Sequence, residues 1–253
     1  MKVTLMQTDI AWADPEANRK RLSVKFADLP ETDLVVLPEM FSTGFMPDPS
    51  GKAEKDGRTL EWMRSKASEY GFSIAGSVSV EEAGRLYNRF YFVEPGGKVS
   101  CYDKRHLFSV SGEDRLYIAG KDRVIIEYSG LRILPQVCYD LRFPESGRNF
   151  LHPSGEADFD LAIYVASWPS RRIEAWDALL KARAIENQAY VVGVNRVGYD
   201  PECEYSGGSV VLDPMGRTVA SCASGRPDSV TAEIDPLFLG IFRESFPALR
   251  DIK

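Results

Sequence analysis

Asp33-Leu34-Val35-Val36-Leu37-Pro38-Glu39 sets four consecutive aliphatic residues between an aspartate and a Pro-Glu step. A short, β-branched run without polar alternation reads as a strand buried on both faces, the kind found in a parallel sheet covered by helices. Upstream, Val3 to Gln7 reads as a strand. Asp14-Pro15-Glu16 then opens a helix to about Leu29, with an N-cap, a proline in the first turn and an acidic start. Downstream, a helix over about Arg58 to Tyr70 stops at Gly71 in a left-handed cap. Strands follow at 72–80, 87–94 and 98–103, the last two joined by the turn Glu94-Pro95-Gly96-Gly97. The order then repeats. Ile133 to Val137 is a strand, 144–151 a short helix and Leu161 to Ala166 a second apolar strand. Ile173, Trp176, Leu179, Leu180 and Ile185 recur at helical spacing over about 172–188. Val191 to Val194 and Ser209 to Leu212 close the pattern as strands, with Asp213-Pro214-Met215-Gly216 as a turn. This alternation predicts an α/β fold, and no Pro/Ser/Gly-rich linker separates the halves. Residues 1–253 therefore read as a single domain of two similar halves.

Composition narrows the function. The chain has 253 residues, 44% hydrophobic and 27% charged, with 31 basic against 37 acidic residues and a net charge of −6. An acidic balance argues against nucleic acid or an anionic membrane as partner. No run approaches the roughly 18 apolar residues of a membrane span, and MKVTLMQTDI alternates like a strand rather than forming a signal peptide. The four cysteines (Cys101, Cys138, Cys203, Cys222) lack close spacing, which fits a reduced, cytoplasmic protein. With two histidines, a His-rich metal site is excluded. Neither a GxxxxGK[ST] nor a GxGxxG pattern occurs, so no cofactor is expected.

Reactive groups stand at the downstream ends of three strands, where loops of α/β folds converge on ligands. Glu39 follows Leu34–Pro38, Lys104 follows Val99–Asp103 and Cys138 follows Ile133–Val137. Each alone has an ordinary reading: a solvated loop glutamate, a surface lysine, a packed cysteine. Together they form a chemical set. Cysteine is a strong nucleophile that is mostly thiol at neutral pH and needs a base or a nearby cation. A buried carboxylate can be that base, and an ammonium group stabilises a developing oxyanion. The Tyr139 N–H, at the turn after Cys138, is a second candidate oxyanion donor.

Leu37-Pro38-Glu39-Met40-Phe41, Lys104-Arg105-His106-Leu107-Phe108 and Cys138-Tyr139-Asp140-Leu141-Arg142-Phe143-Pro144-Glu145 resemble the carbon–nitrogen hydrolase (nitrilase) superfamily. The likeness continues through Ala166-Ser167-Trp168-Pro169, Ala182–Asn187, Ser206–Ser209 and Asp213–Gly216, in order along nearly the whole chain. Glu39, Lys104 and Cys138 fall on the family's Glu-Lys-Cys triad. Glu113 sits where many members carry a second, supporting glutamate. The resemblance implies a four-layer α-β-β-α sandwich, no cofactor, and a homodimer or multiple of dimers paired through helix faces. The face expected here carries Trp176, Leu179, Leu180 and Ile185.

Tyr164–Pro169 and Asn195-Arg196-Val197-Gly198 look most like the omega-amidase branch, whose members cleave the terminal amide of small α-keto acid amides. Another C–N hydrolase (a carbamoyl-amino-acid or aliphatic amidase) and a non-catalytic binding protein on the same fold are the alternatives. Phe41, Phe45, Met46 and Trp168 are candidate pocket-wall residues, and Arg171 or Arg172 is the candidate grip on a substrate carboxylate. His106 is expected to be structural, His152 to lie on the surface, Arg142 to pair with Glu145, and Cys101, Cys203 and Cys222 to be inert.

Overall fold

The computed structural model describes residues 1–49 and 51–252. The strand predicted at the opening stretch is β2 (Leu34–Val36), wholly buried between β1 (Lys2–Gln7) and β3 (Ser73–Glu82), parallel to both. On β3 follow β4 (Arg85–Val93) and β5 (Val99–Asp103), antiparallel in turn. The second half repeats this arrangement. Here β7 (Leu131–Val137), β8 (Leu161–Ala166) and β9 (Tyr190–Asn195) are the parallel centre. Flanking them antiparallel are β6 (Ile126–Tyr128) on one side, and β12 (Val210–Leu212) and β13 (Thr218–Ser221) on the other. A short ribbon of β10 (Val197–Tyr199) and β11 (Glu204–Ser206) stands apart, and β14 (Asp228–Glu233) returns to pair with β1.

Each six-stranded sheet buries both faces, which is why its central strands are continuous apolar runs. Val3, Leu34, Val36, Phe90 and Phe92 of the first sheet pack on Ile133, Val137, Ile163, Val192 and Val194 of the second, forming the central core. Outside the first sheet lie α1 (Pro15–Phe26) and α2 (Arg58–Tyr70), through Leu22, Phe26, Met63 and Ala67. Outside the second lies α4 (Ile173–Asn187), following the one-turn α3 (Glu113–Leu116) in the chain. The layers run α-β-β-α.

Local signals act as expected at α1 and α2. The Asp14 side chain accepts from the Ala17 N–H, a cap worth about 1 kcal/mol, and Gly71 ends α2 at φ 75°. One expectation fails, one is narrowed and one helix goes unpredicted. Residues 144–151 form turns and a single bridge rather than a helix, because the Phe143 and Pro144 carbonyls each accept a turn N–H, from Ser146 and Gly147. The predicted dimer face on α4 is only partly free. Trp176 and Leu180 are buried in the chain's own core, against Gly193 of β9, where a Cβ would meet Leu180 Cδ1 at 2.5 Å, while Ile185 stays 51% exposed. A last helix, α5 (Pro236–Ser245), was not anticipated, although its Asp235-Pro236 start repeats the Asp14-Pro15 signal.

Candidate active site

The three predicted groups meet at the seam between the sheets. Glu39 stands just past β2, in a turn forced by Met40 at φ 44° and tied down by Ser77, whose hydroxyl accepts the Met40 N–H. Lys104 follows β5, its N–H donated to the Asn88 carbonyl. Its own carbonyl accepts from Gly120, where a Cβ would sit 2.0 Å from the Asp103 carbonyl oxygen, so only glycine fits. Cys138 ends β7 and starts a one-turn 3-10 helix (Cys138–Arg142) at φ 47°. A positive φ at a non-glycine residue costs of order 1 kcal/mol, and such strain collects at functional turns. The first N–H groups of such a turn lack helical partners, and Tyr139, the next residue, lines the pocket.

Glu39, Lys104 and Glu113 are all 0% exposed. Lys104 Nζ lies 2.9 Å from Glu39 Oε1 and 2.9 and 3.1 Å from the two Glu113 oxygens. Burial alone lowers a lysine's pKa, but the Glu113 and Glu39 carboxylates overcome it and hold Lys104 above its usual range as a permanent cation. Glu113 is pushed up by burial, against the pull of Lys104. Its Oε2 also takes the Phe108 N–H at 2.6 Å. Glu39 Oε2 accepts the Ser167 N–H at 2.9 Å, across the seam. The Cys138 thiol is raised well above its usual range by burial, then by the Glu39 carboxylate, with Lys104 pulling the other way. These shifts favour a thiol at Cys138 beside the Glu39 carboxylate.

That state is testable. The difference in thiolate absorbance near 240 nm between the wild type and Cys138→Ala is expected to show no step from about pH 6 to pH 9, because a raised pKa keeps the proton on sulfur. A step below about pH 8 would contradict the arrangement.

Above the thiol opens a cavity of about 550 Å³, lined by Glu39, Lys104, Phe45, Met46, Trp168, Arg142 and Arg172 among others. Phe45 lies 5.3 Å below Lys104 Nζ. Phe41 does not line it: the ring is buried under α2 against Trp62 and Gly76, so its assignment to the pocket is corrected to core. Arg171 and Arg172 both reach the cavity, Arg172 over the Phe108 ring at 5.2 Å. Arg142 does not pair with Glu145. Its guanidinium stacks on Trp168 at 4.8 Å and faces the same space, a third cation the sequence reading had placed elsewhere. Cys203 also lines the cavity.

His106 is structural, as expected. It donates from Nδ1 and from its backbone N–H to Asp140, and its ring stacks on Phe143 at 3.9 Å. The sequence reading missed Asp140 itself. This buried carboxylate also takes the Tyr102 hydroxyl and the Val137 N–H, locking the Lys104 loop to the Cys138 turn. Asn88, between Glu39 and Glu113, was missed too; a lone amide within the apolar strand Tyr87–Val93 was the available signal, since asparagine is depleted from strands. His152 is exposed and paired with Asp158. Among the described residues, no cluster of three or more His, Cys, Asp or Glu could hold a metal, and no helix is long and apolar enough to cross a membrane.

A Glu-Lys-Cys constellation at the seam of a four-layer sandwich defines a class of hydrolase acting on carbon–nitrogen bonds, and the family model for carbon–nitrogen hydrolases matches residues 2–240. The chain belongs to that family. It is 44% identical over 252 residues to the omega-amidase YafV of Escherichia coli, across 99% of this chain and 96% of the relative. It is 34% identical to the 2-oxoglutaramate amidase of Bacillus subtilis, across 99% and 97%. Its fold matches that of XC1258 from Xanthomonas campestris, a CN-hydrolase superfamily protein with an arsenic adduct in its active site, with a TM-score of 0.97 and 41% identity over 100% and 97% of the two chains.

Proposed function

We propose that the protein is an omega-amidase, hydrolysing the terminal amide of a small α-keto acid amide to the acid and ammonia. The observation that carries it is the buried Glu39–Lys104–Glu113 cluster beside Cys138, under a cavity walled by arginines. Full-length likeness to enzymes of that name supports the substrate class.

In this reading Glu39 takes the thiol proton as sulfur bonds to the amide carbon. The carbonyl electrons move to oxygen, held by Lys104 and the Tyr139 N–H. One Lys104 N–H forked between the Glu113 oxygens leaves its third proton for that oxyanion. The oxyanion collapses, the C–N bond breaks, and nitrogen leaves as ammonia with the proton from Glu39. Glu39 then deprotonates water, which attacks the thioester carbon. That second tetrahedral adduct collapses with cleavage of the C–S bond, the acid departs, and the proton held by Glu39 returns to sulfur. No cofactor enters any step.

The substrate carboxylate falls to the free arginines. Among the described residues, Arg142, Arg171 and Arg172 have no carboxylate partner; Arg142 and Arg172 rest on aromatic rings instead, and burial followed by repulsion from Arg171 lowers Arg172. A bound anion relieves that repulsion. The test is ammonia release from α-ketoglutaramate and from a neutral amide of equal length, for the wild type and Arg142→Ala, Arg171→Ala and Arg172→Ala. At least one variant is expected to lose about 10- to 150-fold in kcat/KM on the charged amide only, the worth of a charge-assisted contact. Equal losses on both substrates would favour an aliphatic amidase, and no ammonia from any amide a binding protein.

We further propose that residues 1–253 form one domain, since both sheets share a core, and that this domain works in the reducing cytoplasm as a dimer. The free thiols support the compartment, and the exposed Ile185, Leu237, Ile241 and Phe246 supply apolar surface for pairing.

A further inference from the structure

Asn88 lies on β4 with its side chain wholly buried, and Nδ2 reaches Glu39 Oε1 at 2.8 Å and Glu113 Oε1 at 3.1 Å. Its Oδ1 is buried without a hydrogen bond. A buried acceptor left empty is costly, so this side chain is kept for its two donors. Turning the amide over would set oxygen against two carboxylates.

A carboxylate has about four acceptor sites, and counting them separates the two glutamates. Glu113 Oε1 takes Lys104 and Asn88, and Oε2 takes Lys104 and the Phe108 N–H, so all its sites are filled. Glu39 Oε1 takes Lys104 and Asn88, but Oε2 takes only the Ser167 N–H. One site remains, on Oε2, and the Cys138 thiol is the neighbouring group that interacts with the Glu39 carboxylate.

We infer that Asn88 is a positioning residue: its two N–H groups fill the lone pairs through which Glu39 and Glu113 would otherwise share a proton, leaving Glu39 Oε2 as the acceptor for the nucleophile. This inference rests on the amidase reading and deepens it. Two carboxylates in one site hold a proton between them when nothing else occupies the facing oxygens. The other titratable groups here are Lys104 after β5, Cys138 after β7, and Tyr117 after α3, whose hydroxyl is bonded to Ser79 and to the Met46 carbonyl. Of these titratable groups only Lys104 touches both glutamates, and the protons it turns toward them are already placed.

The test is the pH profile of kcat/KM for Asn88→Leu, Asn88→Asp and Asn88→Ser, assayed by ammonia release beside the wild type. Losing donors to the ionised form makes the carboxylate pair hold its proton to higher pH. The acid limb of Asn88→Leu is therefore expected to move up by about one pH unit, a tenfold greater loss at low pH than on the plateau. Asn88→Asp, adding a third carboxylate, moves it further, and Asn88→Ser, keeping one donor, moves it less. Should Asn88→Leu not fold, Asn88→Ser carries the test by the direction of its limb. A folded variant that loses activity equally at every pH, or that keeps the wild-type limb, overturns the inference. A wild type without amidase activity overturns the underlying reading instead.

Discussion

Cys138→Ala is expected to lower kcat for ammonia release by at least about a hundredfold, because removing a nucleophile abolishes the covalent route and leaves only binding and the oxyanion donors. The fold is expected to persist. Cys138 packs against both core clusters, but alanine removes only its sulfur. The turn Cys138 starts is held by Asp140, which accepts the Val137 and His106 N–H groups and the Tyr102 hydroxyl. Alanine at φ 47° meets the same strain as cysteine, so stability changes little. Mass spectrometry of early-quenched wild type is expected to show a thioester on the peptide carrying Cys138. Cys203→Ala serves as the control, since that thiol lines the same cavity without a carboxylate–lysine pair beside it. Residual kcat above a hundredth in Cys138→Ala, or an acyl group on Cys203, would refute covalent catalysis at Cys138.

The limits of sequence reading follow the range of the forces involved. Leu34–Val36, Leu161–Ala166 and the Gly71 stop of α2 were legible because burial and helix capping act over a few residues. Glu39, Lys104 and Cys138 were legible through their strand ends and motif likeness, although they lie up to 99 residues apart (39 to 138). The failures are of another kind. Phe41 follows Glu39 by two positions, yet the Met40 turn swings it to the helix side of the sheet, and no local pattern reports a positive φ at methionine. Arg142 lies three residues from Glu145, a spacing that suggests a pair, but its guanidinium finds the Trp168 ring, which arrives from the loop after β8. Asp140 and Asn88 were missed because their meaning lies wholly in long-range partners. Periodicity placed Trp176 and Leu180 on one face of α4 correctly, but could not say whether that face meets β9 or a second subunit.

Lys104→Met is expected to abolish activity and also to destabilise the fold, and the pH dependence of that loss identifies its cause. The ammonium neutralises two wholly buried carboxylates, Glu39 and Glu113. Taking away one partner of a buried ionic cluster costs about 3–5 kcal/mol, because the remaining charges stay out of water unpaired. Glu113, already pushed up by burial, loses the cation that pulls it back. Its folded pKa in the variant therefore rises further above the unfolded value of about 4.3. A carboxyl raised in this way binds its proton more tightly folded than unfolded, so stability falls as pH climbs from the unfolded toward the folded pKa. The deficit of Lys104→Met against the wild type is thus expected to be small at about pH 4.5 and several kcal/mol at about pH 8, read by urea unfolding at both values. Adding Glu113→Gln removes one of the stranded charges and should recover part of the loss at high pH without restoring catalysis, since the oxyanion still lacks its cation. A deficit equal at the two pH values would mean that lost packing of the lysine stem, not stranded charge, governs the variant. Full activity in Lys104→Met would remove the ammonium from the mechanism altogether.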